Sequence, residues 1–197
     1  MKPFNEAKRI GIVVLAAGDS RRLGQPKQLL SYKGKTLLRH IVDVACDAGA
    51  SDVSVVLGAH REVLERELRP EVSTIRNDEW KEGLASSVRA AVNHLGGDMD
   101  ALLFMTVDQP HVDVHLLQSI FFSYLQSSAR VVACTYGGTS GIPALFDRSF
   151  FSTLRQLEGD RGAKEIIASM GKEVRLIPFP QGAIDIDTLS DYDTISS

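Results

Sequence analysis

Apolar positions along this chain fall into short unbroken runs, separated by stretches in which they recur with helical spacing. Residues 10–16, 53–57, 101–107 and 131–135 are nearly continuous in Val, Ile, Leu, Ala and Phe, the pattern of strands buried on both faces of a sheet. Between them, Leu37, Leu38, Ile41, Val42, Val44 and Ala45 mark a helix that starts at Thr36 and ends by Gly49. A charged helix is predicted over 61–69, stopped by Pro70. Further helices are predicted over 85–95, over 114–126 behind Asp113 as N-cap, and over 149–157 and 162–170. Short strands are expected at 72–75, 144–146, 174–177 and 184–186, with a loop from Gly137-Gly138 to Pro143. Residues 28–35 read as a short strand or turn reversing at Gly34, and 188–195 as a terminal helix or turn. This alternation predicts an α/β fold with a mainly parallel sheet covered by helices on both faces.

Composition adds limits. The 197 residues suffice for one well-buried domain and are short for two. A net charge of -3 argues against a broad basic face for nucleic acid, so a bound anion should be small and met by a few placed cations. Cys46 and Cys134 lie far apart in apolar segments, as expected of reduced thiols in a cytoplasmic protein. The first nine residues lack the apolar core of a signal peptide. No apolar run approaches the roughly 20 residues that span a bilayer, so no membrane partner is expected.

Chemistry concentrates where strands end. The first strand runs into Leu15-Ala16-Ala17-Gly18-Asp19-Ser20-Arg21-Arg22-Leu23-Gly24-Gln25-Pro26-Lys27, a loop able to bring backbone N–H groups and cations to a phosphate. Its spacing matches neither G-x-G-x-x-G nor the Walker loop. Arg22 would meet phosphate oxygens through planar bidentate bonds and Lys27 as a point charge. Asp108, in Asp108-Gln109-Pro110, ends a buried strand and suits a hard divalent cation. Asp185 and Asp187, read as alternate positions of a strand, should point to opposite faces, so at most one joins Asp108. Ligands of open α/β sheets bind outside the carboxyl ends of the strands, so these three clusters should share one rim. His111 and His115 show i, i+4 spacing, but Asp113 between them caps the helix and no third zinc ligand is evident. No serine elbow and no cysteine with a partner base supports a covalent nucleophile.

With these residues in hand, the chain resembles the MobA-like nucleotidyltransferases, and within them the molybdenum cofactor cytidylyltransferase branch. The resemblance rests on Leu15-Ala16-Ala17-Gly18, Ser20, Arg22, Gly24 and Pro26-Lys27. It continues through Asn77, Trp80, Gly83 and Ser87, Asp108-Gln109-Pro110, Gly141 with Pro143, Gly159-Asp160 with Gly162-Ala163, and Asp185-Ile186-Asp187-Thr188. It implies a Rossmann-like, glycosyltransferase-A type three-layer sandwich forming a single nucleotidyltransferase domain over 1–197. The NTP-binding part would cover about 10–110 and the acceptor-binding part about 111–197. It further implies that Leu15, Ala16, Ala17, Gly18, Ser20, Arg22, Lys27, Asn77, Gly83 and Ser87 bind the nucleotide, and that Asp108 and Asp187 hold Mg2+. Gly141, Pro143, Gly162, Ala163 and Lys164 would face the acceptor, with Arg22, Lys27 and Asp108 catalytic. Ala17 and Gln109 point to CTP rather than GTP. Ile142 stands where the family often carries histidine.

The implied reaction is attack by the terminal phosphate of molybdopterin, or of the molybdenum cofactor, on the α-phosphorus of CTP with release of pyrophosphate. A molybdenum hydroxylase apo-enzyme would be a further partner. The alternatives are guanylyl transfer, nucleotidyl transfer to a sugar or alditol phosphate, and non-catalytic carriage of the cofactor.

Overall fold

A computed structural model describes residues 8–159 and 163–195. In chain order the strands are β1 (Ile10–Leu15), β2 (Ser31–Tyr32), β3 (Lys35–Thr36), β4 (Asp52–Leu57), β5 (Ser73–Arg76), β6 (Ala101–Thr106), β7 (Val131–Tyr136), β8 (Thr139–Asp147) and β9 (Val174–Pro178). The helices are α1 (Leu37–Asp47), α2 (Arg61–Leu64), α3 (Leu84–Leu95), α4 (Val114–Gln126), α5 (Phe151–Leu154), α6 (Ala163–Met170) and α7 (Leu189–Ile195). Except for the small β2–β3 hairpin, the strands form one seven-stranded sheet in the order β5-β4-β1-β6-β8-β7-β9. Within it β8 alone runs against its neighbours, so the sheet is mainly parallel.

Every residue of β1 is buried, because the strand is flanked by β4 and β6 and covered on both faces. Its side chains alternate between two cores. Ile12 and Val14 pack with Leu38, Ile41, Leu117 and Ile120 of α1 and α4. Val13 and Leu15 pack with Val88 and Val92 of α3 and with Ile167 of α6. Truncating a fully enclosed side chain such as Ile12 costs about 2–5 kcal/mol through lost transfer energy and the cavity left behind. Both long helices on the first face start where side-chain caps allow: Thr36 accepts from the Arg39 N–H, and Asp113 from the Leu116 N–H at 2.8 Å.

The chain leaves β1 toward β4 and β5, then crosses back to place β6 on the other side. Strand order therefore reverses between β1 and β6, and a crevice opens at their carboxyl ends.

Four expected elements differ, the first being the 149–157 helix, which is a 3-10 turn over Arg148–Phe150 followed by the four residues of α5. The 61–69 helix is α2 followed by a 3-10 turn over Glu65–Glu67. Residues 139–143, rich in loop formers, belong to β8, because the Gly137-Gly138 turn returns the chain along β7 and backbone pairing outweighs composition. Residues 184–186 are not a strand. The Asp191 carboxylate instead accepts from the backbone N–H groups of Asp187 and Thr188 and from the Thr188 hydroxyl, turning the chain into α7.

Candidate active site

The crevice between β1 and β6 is a cleft of about 460 Å³, within the usual range of ligand pockets. Its floor and one wall are Leu15, Ala16, Ala17, Gly18, Ser20, Arg22 and Lys27 of the opening loop. The opposite wall is Trp80, Lys81, Gly83, Leu84 and Ser87, and Asp108 and Asp187 close the rim.

The loop keeps its shape through polar contacts of its own. Ser20 adopts a left-handed conformation with φ of 55°, and its Oγ accepts from the Lys27 N–H at 3.0 Å. Gln28 is buried, and its Nε2 donates to the carbonyls of Ala16 and Gly18, each at 2.9 Å. Leu23 inserts into the core and anchors the tip. Gln28 was absent from the expected site residues. Its signal was its place directly after Lys27, where the following Leu29 and Leu30 pull it inward.

The facing wall depends on two glycines. A Cβ on Gly58 would stand 2.6 Å from the Cβ of Trp80, so only glycine lets the indole lie against the end of β4. Gly83 has φ of 124°, a conformation side-chain-bearing residues rarely adopt, and it leads directly into α3. Asn77 does not line the cleft as expected. It is buried behind the wall, where its Nδ2 donates to the hydroxyls of Ser86 at 2.9 Å and Ser87 at 3.0 Å and its Oδ1 accepts from the Glu79 N–H. It thus sets the Ser87 side chain rather than facing the opening.

The rim carries the charge. Lys27 Nζ donates to Asp108 Oδ2 at 2.9 Å and to Asp187 Oδ1 at 2.8 Å, and Arg22 Nη2 donates to Asp187 Oδ2 at 2.9 Å. Burial disfavours the charge on Lys27, but the two carboxylates outweigh it and hold its pKa above the ordinary value. The bond from Lys27 holds the Asp187 carboxyl below its usual range. The Ile186 N–H donates to the Asp108 carbonyl at 3.0 Å, and fully buried Ile186 pins this segment beside β6. Although 184–186 is not a strand, Asp187 and not Asp185 lines the cleft beside Asp108, so one of the two joins it as expected. Partial burial, then the Asp108 and Asp187 charges, push the Asp185 carboxyl up to about 6.

The fit of a divalent cation can be judged from these contacts. Among the described residues no group of three or more His, Cys, Asp or Glu side chains is arranged as a metal cage. Asp108 and Asp187 nevertheless already converge on one cation, the Lys27 ammonium. Two carboxylates lining one cleft suit Mg2+, which keeps much of its shell for water and phosphate oxygens.

Of the expected acceptor-side residues, Gly141, Pro143 and Lys164 are not among those lining the cleft. Gly141 and Pro143 are on β8, and Lys164 is exposed on α6. Ala163 begins α6, while Asp160 and Gly162 lie outside the described residues. Tyr136 lies on β7, where its hydroxyl donates to the Ile142 carbonyl of β8 at 2.8 Å and burial, ahead of its polar neighbours, pushes its pKa up. A Cβ on Gly141 would stand 2.6 Å from that hydroxyl. Tyr136 was not foreseen, since nothing local in β7 distinguishes it.

The chain matches the MobA-like NTP transferase domain over residues 12–174 and belongs to that family. It is a nucleotidyltransferase by that membership, with the Rossmann-like fold of the class. It is similar to nicotine blue oxidoreductase of Paenarthrobacter nicotinovorans, 29% identical over 93% of this chain and 91% of that protein. The structure of Rv0371c from Mycobacterium tuberculosis H37Rv superposes with a TM-score of 0.82 at 31% identity, covering 97% of this chain and 98% of that one. The complex of Rv0371c with manganese gives a TM-score of 0.79 at 28% identity, over 95% and 97% of the two chains. A nucleotidyl transferase from Methanothermobacter thermautotroptrophicus gives 0.80 at 26% identity over 96% of each chain.

Proposed function

We propose that this protein transfers the cytidylyl group of CTP to the terminal phosphate of molybdopterin or of the molybdenum cofactor. One observation carries the reading. A phosphate-sized loop, two cations and two carboxylates meet at a single rim of the sheet, with Lys27 joining Asp108 and Asp187.

The opening loop would hold the triphosphate, with Arg22 and Lys27 on its oxygens. Ser87, Gly83 and Trp80 would take the nucleoside end of the cleft. Asp108 and Asp187 would hold Mg2+, which would supply neutralisation of charge developing on the phosphate oxygens; that the structurally similar Rv0371c is known as a complex with manganese supports a divalent cation here. An oxygen of the acceptor's phosphate forms a bond to the α-phosphorus, and the bond from that phosphorus to the bridging oxygen breaks. Pyrophosphate departs with the electron pair. The acceptor brings its own ionised nucleophile, so this chain's residues need only align it and screen its charge. Lys27 would then exchange its carboxylate partners for phosphate oxygens when the nucleotide enters. The choice of CTP rests on the family resemblance at Ala17 and Gln109, and that of acceptor on the resemblance across Gly141, Pro143 and residues 159–164.

The test is transfer of label from α-labelled CTP or GTP to molybdopterin in Mg2+, measured side by side. Product with CTP in clear excess over GTP is expected. Faster transfer from GTP overturns the cytidylyl assignment, and no transfer from any NTP overturns the catalytic one.

A further inference from the structure

Outside the cleft, one arginine is more enclosed than its surface position requires. The Arg89 side chain is 19% exposed. Its guanidinium makes a bidentate pair with Glu82, Nη1 donating to Oε1 at 2.7 Å and Nη2 to Oε2 at 2.5 Å. Nη1 also donates to the Leu157 carbonyl at 2.7 Å, and Nη2 to Glu79 at 2.9 Å. Glu82 Oε1 in turn accepts from the Gly159 N–H at 3.2 Å, and the Gly159 carbonyl accepts from the Ala85 N–H at 3.1 Å. Arg89 and Glu82 thus grip both ends of the segment 157–159, although it lies 68 and 77 positions away in sequence.

The two sides of this grip belong to different parts of the enzyme. Glu82 and Arg89 bracket Gly83, Leu84 and Ser87, which line the cleft. The gripped segment runs toward α6, the side on which Lys164 stands. We propose that Arg89 and Glu82 form a latch that sets the acceptor-side segment against the nucleotide wall, and are positioning residues for group transfer. This rests on the nucleotidyl-transfer reading above.

Geometry favours a specific latch over a general surface ion pair. Exposed pairs contribute about 0–1 kcal/mol, and the Glu79 contact, with that carboxylate 71% exposed, is of this kind. The Glu82 pair is bidentate and shares its oxygen with a backbone N–H, an arrangement lysine cannot copy because its ammonium is a single point. The nucleotide wall has its own support, since Asn77 holds Ser86 and Ser87 and Trp80 packs on Gly58. Loss of the latch should therefore release the acceptor side and leave the nucleotide side in place.

A control is Arg155, at the C-cap of α5, whose partners lie on α3. Arg155 donates to Asn93 Oδ1 at 3.0 Å and to the Val92 carbonyl at 3.3 Å, strapping the same stretch to the far end of α3, away from the cleft. The experiment compares wild type with Arg89→Ala, Arg89→Lys, Glu82→Gln and Arg155→Ala. It reads KM for molybdopterin and for CTP, kcat, Tm, and amide exchange of 155–159 in the free protein. For Arg89→Ala and Glu82→Gln, kcat/KM toward molybdopterin should fall about tenfold or more, as a misplaced reactant requires, with the KM for CTP within about threefold. Exchange at Gly159 should quicken about tenfold, and Arg89→Lys should behave nearly as Arg89→Ala. Arg155→Ala should lower Tm and leave both KM values unchanged. Equal rises in both KM values, or unchanged kinetics with only a lowered Tm, overturn the latch. If Arg89→Ala does not fold, Glu82→Gln and Arg89→Lys decide. If wild type transfers no nucleotide, the proposed function fails, and the exchange measurement still decides the latch: unaltered exchange at Gly159 in Arg89→Ala, or in Arg89→Lys if Arg89→Ala does not fold, overturns it.

Discussion

Lys27 Nζ stands 2.9 Å from Asp108 and 2.8 Å from Asp187, so one ammonium joins residues 81 and 160 positions away in sequence. The three come together because β1 and β6 are neighbours in the sheet, and because Ile186 is pinned to the Asp108 carbonyl. Replacing the cation tests whether this bridge serves the reaction. Lys27→Met should lower kcat/KM about 10²–10³-fold, the usual loss on removing one preorganised charge stabiliser. The fold should survive, because the Asp108 and Asp187 side chains are 25% and 38% exposed and can be solvated. Steady-state kinetics with circular dichroism check both points.

The wall opposite the loop rests on buried polar contacts. Asn77→Ala removes the donor to two serine hydroxyls and the acceptor of the Glu79 N–H. It should cost about 1–3 kcal/mol, as for buried groups left unpaired, and weaken nucleotide binding through Ser87. Denaturant unfolding and nucleotide titration measure the two effects.

Gly58→Ala probes the same wall from behind. Its added methyl meets Trp80 at 2.6 Å and the Ala17 carbonyl at 2.9 Å, so the indole must shift. Overpacking of this kind costs about 1–3 kcal/mol. A lowered Tm together with a change in tryptophan fluorescence is expected, since Trp80 is the single tryptophan.

A pH signature comes from His40. Its Nε2 lies 3.1 Å from the Pro110 carbonyl, linking α1 to the turn after Asp108. Burial, with the nearby Lys33 and Lys35, holds its pKa below the ordinary 6.5. The folded state therefore prefers the neutral ring. This contribution is present above the unfolded pKa and is lost as pH falls toward the folded one. Asp185, raised from 3.8 to about 6, acts with the opposite sign and stabilises as pH falls through the same window. The comparison of wild type with His40→Gln isolates the histidine. From about pH 7.5 to about 5.5, the Tm of wild type should drop relative to that of the variant. A constant difference would remove His40 from this role.

Much of the architecture was legible because local and tertiary preferences agree. The apolar run of β1 could only be a central strand, and Asp113 before a periodic helix placed α4 at Val114–Gln126. The carboxyl ends of β1 and β6 then located the loop and Asp108. The misses arise where longer-range interactions decide. Residues 139–143 look like a loop, but pairing with β7 makes them a strand. Residues 184–186 look like a strand, but Asp191 captures the following backbone. Asn77 stands in the right segment, yet its direction toward the Ser86 and Ser87 hydroxyls depends on how β5 meets α3. The partners Arg89, Leu157 and Gly159 have no local pattern at all, because their contact exists only once α3 and α5 are packed on one face.

The most direct test of the central claim is pyrophosphate release from CTP in the presence of molybdopterin, titrated with Mg2+, for wild type and for Asp108→Asn. Release by wild type that rises with Mg2+ and is lost in a folded Asp108→Asn protein is expected. Wild-type rates in Asp108→Asn, or release independent of the divalent cation, would contradict the assignment of this rim to metal-assisted nucleotidyl transfer.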